Sequence, residues 1–158
     1  MKIVRFVFTT TFLSLVFFSC QSQNNSSKNL PAGAVRTTVS GYTMRAKING
    51  KLCTASFMMP PESAEQIVGF YDGDKYFGLP YNKKNFIAGN KLSFDDANAD
   101  LTTNDEVQVW NGRDGIMEIT SVNASWVEGK FFFTGHSYDA KHTITVTEGF
   151  FRIPVKGK

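Results

Sequence analysis

The chain has 158 residues, 42% of them hydrophobic, which is enough for one core and one folded domain. Of its 17 basic residues, two lie in an apolar N-terminal segment without acidic residues, which leaves fifteen against 14 acidic residues in the rest of the chain. This nearly neutral balance, with no cluster of Lys and Arg, argues against nucleic acid as a partner.

The N-terminal segment has the pattern of an export signal. Lys2 and Arg5 form a short basic region, and residues 3–18 are mostly apolar, a run that is short for a membrane span of ~20 residues. The sequence Val16-Phe17-Phe18-Ser19-Cys20 resembles the lipobox of bacterial lipoproteins, in which a small residue precedes an invariant cysteine. The resemblance implies a signal peptide at residues 1–19, cleavage before Cys20 and acylation of Cys20, whose acyl chains would anchor the protein in a lipid bilayer.

The segment after the cysteine is polar and rich in Ser, Asn and Gln, so residues 20–34 are predicted to be the lipidated cysteine and a flexible tether. Some bacterial lipoproteins carry an acidic surface-export signal here, and this chain has no Asp or Glu directly after Cys20. That resemblance favours an outer-membrane anchor on the periplasmic face over the cell surface.

From Tyr42 onward, apolar and polar residues alternate with a period of two, which is typical of strands. The pair Asn49-Gly50 predicts a type I′ hairpin turn, and Pro60-Pro61 predicts a loop or one helical turn. Further hairpins are predicted around Asp72-Gly73-Asp74, around residues 111–115 and around residues 136–141. Gly149 is expected at a bulge in the last strand.

These patterns predict that residues 35–158 form an all-β domain. About eight short strands favour an antiparallel β-sandwich, with a small lipocalin-like β-barrel as the alternative. Cys53 alternates with Ala55 and Phe57 on one strand face, so we expect a buried, unreactive thiol.

Four segments of the predicted domain resemble a family of small Gram-negative lipoproteins of unknown function. The resemblance covers most of residues 44–154 and implies the fold and the cellular address, without catalytic residues. The segments are Ala46-Lys47-Ile48-Asn49-Gly50-Lys51, Ile116-Met117-Glu118-Ile119-Thr120, Glu128-Gly129-Lys130-Phe131-Phe132-Phe133 and Ile144-Thr145-Val146-Thr147-Glu148-Gly149-Phe150-Phe151-Arg152-Ile153-Pro154.

One acidic loop has a spacing that suits calcium. Asp96, Asn98 and Asp100 repeat the alternate oxygen ligands of a calcium loop. Leu101 stands where an EF-hand needs Gly, and Val107 stands where it needs Glu. The sequence therefore predicts no firm metal site, and a solvated loop is the simpler interpretation.

Two further polar groupings are weaker. His136 and His142 flank a short loop and could face each other across a hairpin, but two ligands do not make a metal site. Ser137, His136 and Asp139 lie too close in sequence for a hydrolytic relay. Carboxylates that could converge for hydrolysis are Asp72, Asp74, Asp95, Asp96 and Glu118.

Aromatic residues near loops and strand ends suggest a platform for a sugar or an apolar ligand. Trp110 and Trp126 are the principal candidates, and the others are Tyr71, Tyr76, Phe77, Tyr81 and Phe86. The sequence thus predicts a lipid-anchored, non-enzymatic binding module for a protein or small ligand, without a cofactor. The alternative is a carrier of carbohydrates or small apolar molecules.

The lipid anchor can be tested by replacing the acylated residue. Cys20→Ala should abolish incorporation of labelled palmitate and leave an uncleaved precursor or a soluble periplasmic protein, because the thiol that receives diacylglycerol is gone. Globomycin should make the wild-type precursor accumulate. Wild-type protein that takes up no palmitate would contradict the assignment.

Overall fold

The computed structural model describes residues 30–95, 98–103 and 109–155, which are mostly strands. The elements are β1 (Val35–Arg36), α1 (Thr37–Ser40), β2 (Thr43–Ile48), β3 (Lys51–Thr54), β4 (Phe57–Met59), α2 (Pro61–Ala64), β5 (Gln66–Asp72), β6 (Lys75–Pro80), a 3₁₀ turn (Lys83–Asn85), β7 (Lys91–Ser93), β8 (Ala99–Thr102), β9 (Val109–Val122), β10 (Trp126–His136) and β11 (Thr143–Pro154). No helix within these ranges has the length and apolar character needed to cross a bilayer.

All eleven strands of the described ranges belong to one antiparallel sheet. Its order is β1-β4-β5-β6-β8-β9-β10-β11-β2-β3, and β7 pairs with β9 beside this path. The sheet curls into a half-barrel. The β2 side and the β5 side of the sheet meet at residues 55 and 56. There Ala55 N donates to Met44 O and Ser56 N donates to Phe70 O, both at 2.8 Å.

The all-β prediction is confirmed, but the predicted sandwich of about eight strands is not. The domain is a single bent sheet because its long strands stay paired through their bulges. In a sandwich, the strands would be divided between two separate sheets. β9, β10 and β11 have 14, 11 and 12 residues, so each bends around the core along its own length.

The first predicted hairpin is confirmed. Asn49 and Gly50 have φ of 46° and 80°, the positive pair of a type I′ turn, between β2 and β3. The Asn49 side chain accepts a hydrogen bond from Thr145 N at 3.0 Å, which ties the turn to β11. β3 ends at Thr54, earlier than predicted, because the chain then crosses to pair with β5.

The predicted hairpin turn at residues 111–115 is wrong. Val109–Val122 is one continuous strand, and the register of β9 against β10 shifts between Phe132 and Thr134. Asp114 has φ of 50°, and a Cβ on Gly115 would lie 2.1 Å from Phe132 O. The Asp-Gly pair therefore forms a bulge, since a bulge needs the same left-handed backbone and close approach as a tight turn.

The other predicted local features are confirmed. β5 and β6 form a hairpin, β10 and β11 form another, and Pro61–Ala64 is one helical turn. The register of β11 shifts at Glu148, whose φ is 51°, and a Cβ on Gly149 would lie 2.5 Å from Phe131 O. The bulge predicted at Gly149 is therefore present.

The concave face of the sheet holds the main core. Cys53 belongs to it with 1% exposure, which confirms the predicted burial of this thiol. The largest fully buried side chains are those of Phe77, Phe94, Phe151, Met44, Met58, Ile67, Leu79, Leu101, Met117, Ile119 and Val146.

A second, smaller cluster lies around Met59, Val68 and Phe70. Leu30 and Ala34 pack against it, so the described packing includes residues that precede the domain boundary predicted at Val35. The signal peptide, Cys20 and the tether up to residue 29 lie outside the described residues.

The type I′ turn makes a stability prediction. Gly50→Val should lower the free energy of unfolding by about 1–2 kcal/mol, because a β-branched side chain is strained at positive φ. No atom lies within 4 Å of a Cβ placed on Gly50, so the cost is backbone strain without a clash. Gly50→Asn is the control, since Asn tolerates this conformation. Equal melting of the valine variant and wild type, measured by circular dichroism, would contradict the turn.

Candidate functional site

The candidate site is a pocket of about 150 Å³ at one end of the half-barrel. It lies between the segment after β6 and the ends of β9, β10 and β11, with α2 at its side. The lining residues are Pro61, Glu62, Tyr81, Lys83, Phe86, Val122, Val127, Ile153, Pro154 and Val155.

The floor of the pocket is a row of aliphatic side chains across three strands. Val127 pairs with Val122 of β9 on one side and with Ile153 of β11 on the other. Val127 and Ile153 are buried, because the period-two alternation of each strand turns them toward the concave face. Val122 is 40% exposed and marks where the floor reaches solvent.

The wall of the pocket is aromatic. Pro80 ends β6, and the following residues turn through a 3₁₀ helix in which Asn82 Oδ1 accepts a hydrogen bond from Lys84 N at 3.0 Å. This turn brings Phe86 back onto Tyr81, with ring centroids 5.3 Å apart and planes at 70°. The edge-to-face pair is a favourable aromatic geometry and gives the pocket an apolar side.

Two oppositely charged residues line the pocket, and both are exposed. Glu62 lies in α2, and Lys83 opens the 3₁₀ turn. Burial raises the pKa of Tyr42, and the negative charge of Glu62 raises it further. Burial and Glu62 also raise the pKa of Tyr81. The Glu62 carboxylate is therefore within electrostatic reach of both phenols, on the Tyr81 side of the pocket.

The two predicted tryptophans do not meet. Trp110 is 5% exposed, and its indole N–H donates to Thr103 Oγ1 at 3.0 Å. Trp126 is the first residue of β10. Trp110 lies near the other end of that strand, because His136, the last residue of β10, pairs with Asn111 next to Trp110. The Trp126 ring lies against Gly41, with the Arg152 guanidinium 5.7 Å from the ring centroid. These positions form no shared platform.

The other predicted aromatic residues divide between core and site. Tyr71 and Phe77 are buried in the core, and Tyr76 packs edge-to-face on Phe70. Tyr81 and Phe86 are the two that line the pocket. Phe132, which is not among these candidates, is 48% exposed.

The calcium candidates are only partly described. Asp96 lies outside the described residues, and Asn98 is exposed. Asp100 lies in β8, where its carboxylate accepts a hydrogen bond from Gln66 Nε2 at 3.0 Å. Within the described ranges, no three His, Cys, Asp or Glu residues converge as a metal-binding group.

The histidine loop has structural partners. His136 Nε2 lies 3.1 Å from Asp114 Oδ2, which joins the end of β10 to the β9 bulge. Ser137 Oγ donates to Asp139 Oδ1 at 2.7 Å and accepts from His142 N at 3.0 Å. Asp139 has its pKa lowered first by this hydroxyl and then by Lys141 N. Ser137 and Asp139 thus stabilise the turn. Neither of these two hydrogen bonds of the Ser137 hydroxyl involves His136.

The candidate carboxylates of the described ranges are dispersed. Asp74 pairs with Lys75 at 3.0 Å, which lowers its pKa, and Glu118 lies 3.8 Å from Lys91. Asp95 Oδ1 accepts from Asp114 N at 3.1 Å, and Asp72 ends β5. None of these side chains lines the pocket.

Most of the pocket was missed from the sequence. Tyr81 and Phe86 were included as aromatic residues, whereas Glu62 and Lys83 were not singled out. The only local signals were the Pro60-Pro61 turn and the break after Pro80. Neither signal indicates that the two segments meet over the Val127 floor.

Comparison with protein-family models, curated proteins and solved structures finds no match to this chain.

The buried phenol beside the site predicts a pH dependence. Because the pKa of Tyr42 is raised in the folded protein, unfolding releases its proton once the pH exceeds the ordinary tyrosine value of about 10. The stability contributed by the protonated form is complete below that pH and is lost as the pH rises above it.

Tyr42→Phe should therefore reduce the loss of stability between pH 9 and pH 11 in urea unfolding, monitored by fluorescence. Tyr138→Phe removes a hydroxyl from a residue that is 98% exposed and is the matched control. Identical slopes for both variants would show that Tyr42 does not titrate with unfolding.

Proposed function

We propose that this protein is a lipid-anchored, non-enzymatic binding module of the bacterial envelope. Its pocket takes a small, mostly apolar ligand. The acylated Cys20 holds it on a membrane, with the periplasmic face of the outer membrane as the favoured location. The anchor rests on the lipobox resemblance, and the binding activity rests on the pocket.

The observation that carries the binding proposal is the apolar pocket itself. The aliphatic floor and the aromatic wall come from separate parts of the chain, yet they line one partly open pocket of about 150 Å³. An apolar cavity of that size can hold a single benzene-sized group. The pocket is smaller than the roughly 300–1,000 Å³ of drug-sized sites, so it suits one ring or one short branched chain.

The lining favours binding over catalysis. Its side-chain polar groups are the Glu62 carboxylate, the Lys83 ammonium and the Tyr81 hydroxyl. Serine, cysteine and histidine do not occur among these lining residues. A few polar groups around an apolar floor are the common composition of a ligand site.

The position of the pocket supports a carrier-like mode of binding. The concave face of the half-barrel is filled by large side chains, among them Phe77, Phe131 and Phe133. A ligand would therefore enter at the end of the sheet, as in the mouth of a small barrel, without displacing the core.

The proposal can be tested by filling the pocket. Saturation-transfer NMR with benzyl alcohol, a neutral aromatic probe, should detect binding to the purified full chain in lipid nanodiscs, with empty nanodiscs as the blank. Val122→Trp should abolish the signal, because the indole would occupy the open side of the floor.

The matched control is Val109→Trp, which changes the same residue type at the other end of β9, where it is 56% exposed and lines no part of the pocket. This variant should bind as wild type does. Binding that survives Val122→Trp, or no binding to wild type, would refute the proposed site.

A further inference from the structure

The two charged residues of the pocket carry information about the ligand. Glu62 is on the one-turn helix α2, and Lys83 is on the 3₁₀ turn that follows β6. These segments are distant in sequence, and the fold brings one residue of each charge to the same apolar pocket. A ligand with one charge would match one of them and oppose the other.

The floor and wall define the rest of the ligand. Val127 and Ile153 are aliphatic and only 3% and 2% exposed, so their side chains offer no polar group to a charge. Glu62 and Lys83 are exposed, and long side chains of this kind keep their charged ends in water. The charged groups of a ligand are therefore expected at the rim of the pocket, and its apolar group is expected on the floor.

We propose that the pocket binds a small zwitterion with an apolar side chain, a free α-amino acid, with its ammonium on Glu62 and its carboxylate on Lys83. This inference rests on the proposed binding function and names its ligand class. The side chain, a ring or a branched chain, lies between the Tyr81–Phe86 wall and the Val127–Ile153 floor.

The electrostatic surroundings agree with this orientation. The Glu62 charge acts on the hydroxyls of Tyr42 and Tyr81, so the Glu62 carboxylate lies within electrostatic reach of the aromatic wall. An ammonium there meets a carboxylate, which attracts a cation. Lys83 is then the group that remains for the carboxylate.

Three probes that share a phenyl ring test the two charges separately. They are L-phenylalanine, phenethylamine, which lacks the carboxylate, and 3-phenylpropionate, which lacks the ammonium. We expect L-phenylalanine to bind about two- to five-fold more tightly than either singly charged probe, the range expected for one exposed ion pair. Dissociation constants come from NMR titration of the full chain in nanodiscs at low salt.

Charge-neutral variants assign each contact. Glu62→Gln should lower the affinity for L-phenylalanine to that for 3-phenylpropionate, and Lys83→Gln should lower it to that for phenethylamine. Glu65→Gln and Lys84→Gln are the matched controls, since both residues are exposed and neither lines the pocket. They should leave all three affinities unchanged.

The failure of this inference is distinguishable from the failure of the binding function. If benzyl alcohol binds and Val122→Trp prevents it, the pocket is a binding site. Under that result, L-phenylalanine that binds no tighter than the singly charged probes overturns the zwitterion. Equal effects of the site variants and their controls overturn it as well. If no aromatic probe binds, both proposals fall.

Discussion

The architecture depends on two bulges at which glycine backbone lies directly against a neighbouring strand. A Cβ built on Gly115 would overlap the carbonyl oxygen of Phe132. A Cβ built on Gly149 would overlap the carbonyl oxygen of Phe131. Each bulge adds one residue to its strand and increases the local twist. Long strands can therefore bend around one core while they remain paired.

The bulge in β11 also decides which side chains are buried. Val146 and Phe151 are both fully buried, although strict alternation would place them on opposite faces of the strand. The additional residue at Glu148 reverses the alternation between them. The later half of β11 then presents Ile153 to the concave face, where it becomes part of the pocket floor. Core and site thus depend on the same irregularity.

The site exists because the core ends before the strands do. Large aromatic rings fill the middle of the half-barrel. Among them, Phe94 and Phe133 pack with their ring centroids 5.7 Å apart. Beyond them, the smaller Val122 and Val127 leave space that the Tyr81–Phe86 pair covers from one side. A pocket formed in this way has an apolar interior and a charged rim, which is the distribution that the proposed ligand requires.

Several local features of this protein follow from the chemistry of adjacent residues. Alternation with period two predicted strands, and the turn at Asn49-Gly50, the bulge at Gly149 and the burial of Cys53 followed from local residue chemistry. These structural features could be predicted because neighbouring residues define the backbone conformation and the face of each side chain. The proposed export signal and lipobox also rest on local patterns, in a part of the chain that lies outside the described residues.

Where a segment can adopt more than one conformation, its long-range partners select between them. The Asp114-Gly115 pair could form a turn or a bulge, and pairing with β10 selected the bulge. The candidate site could not be predicted from the sequence for the same reason. Glu62, Lys83 and Val127 are distant in sequence and line one pocket only when the sheet curls. Local propensity defines what a segment can do, whereas long-range pairing and burial select among those conformations and bring separate segments to one place.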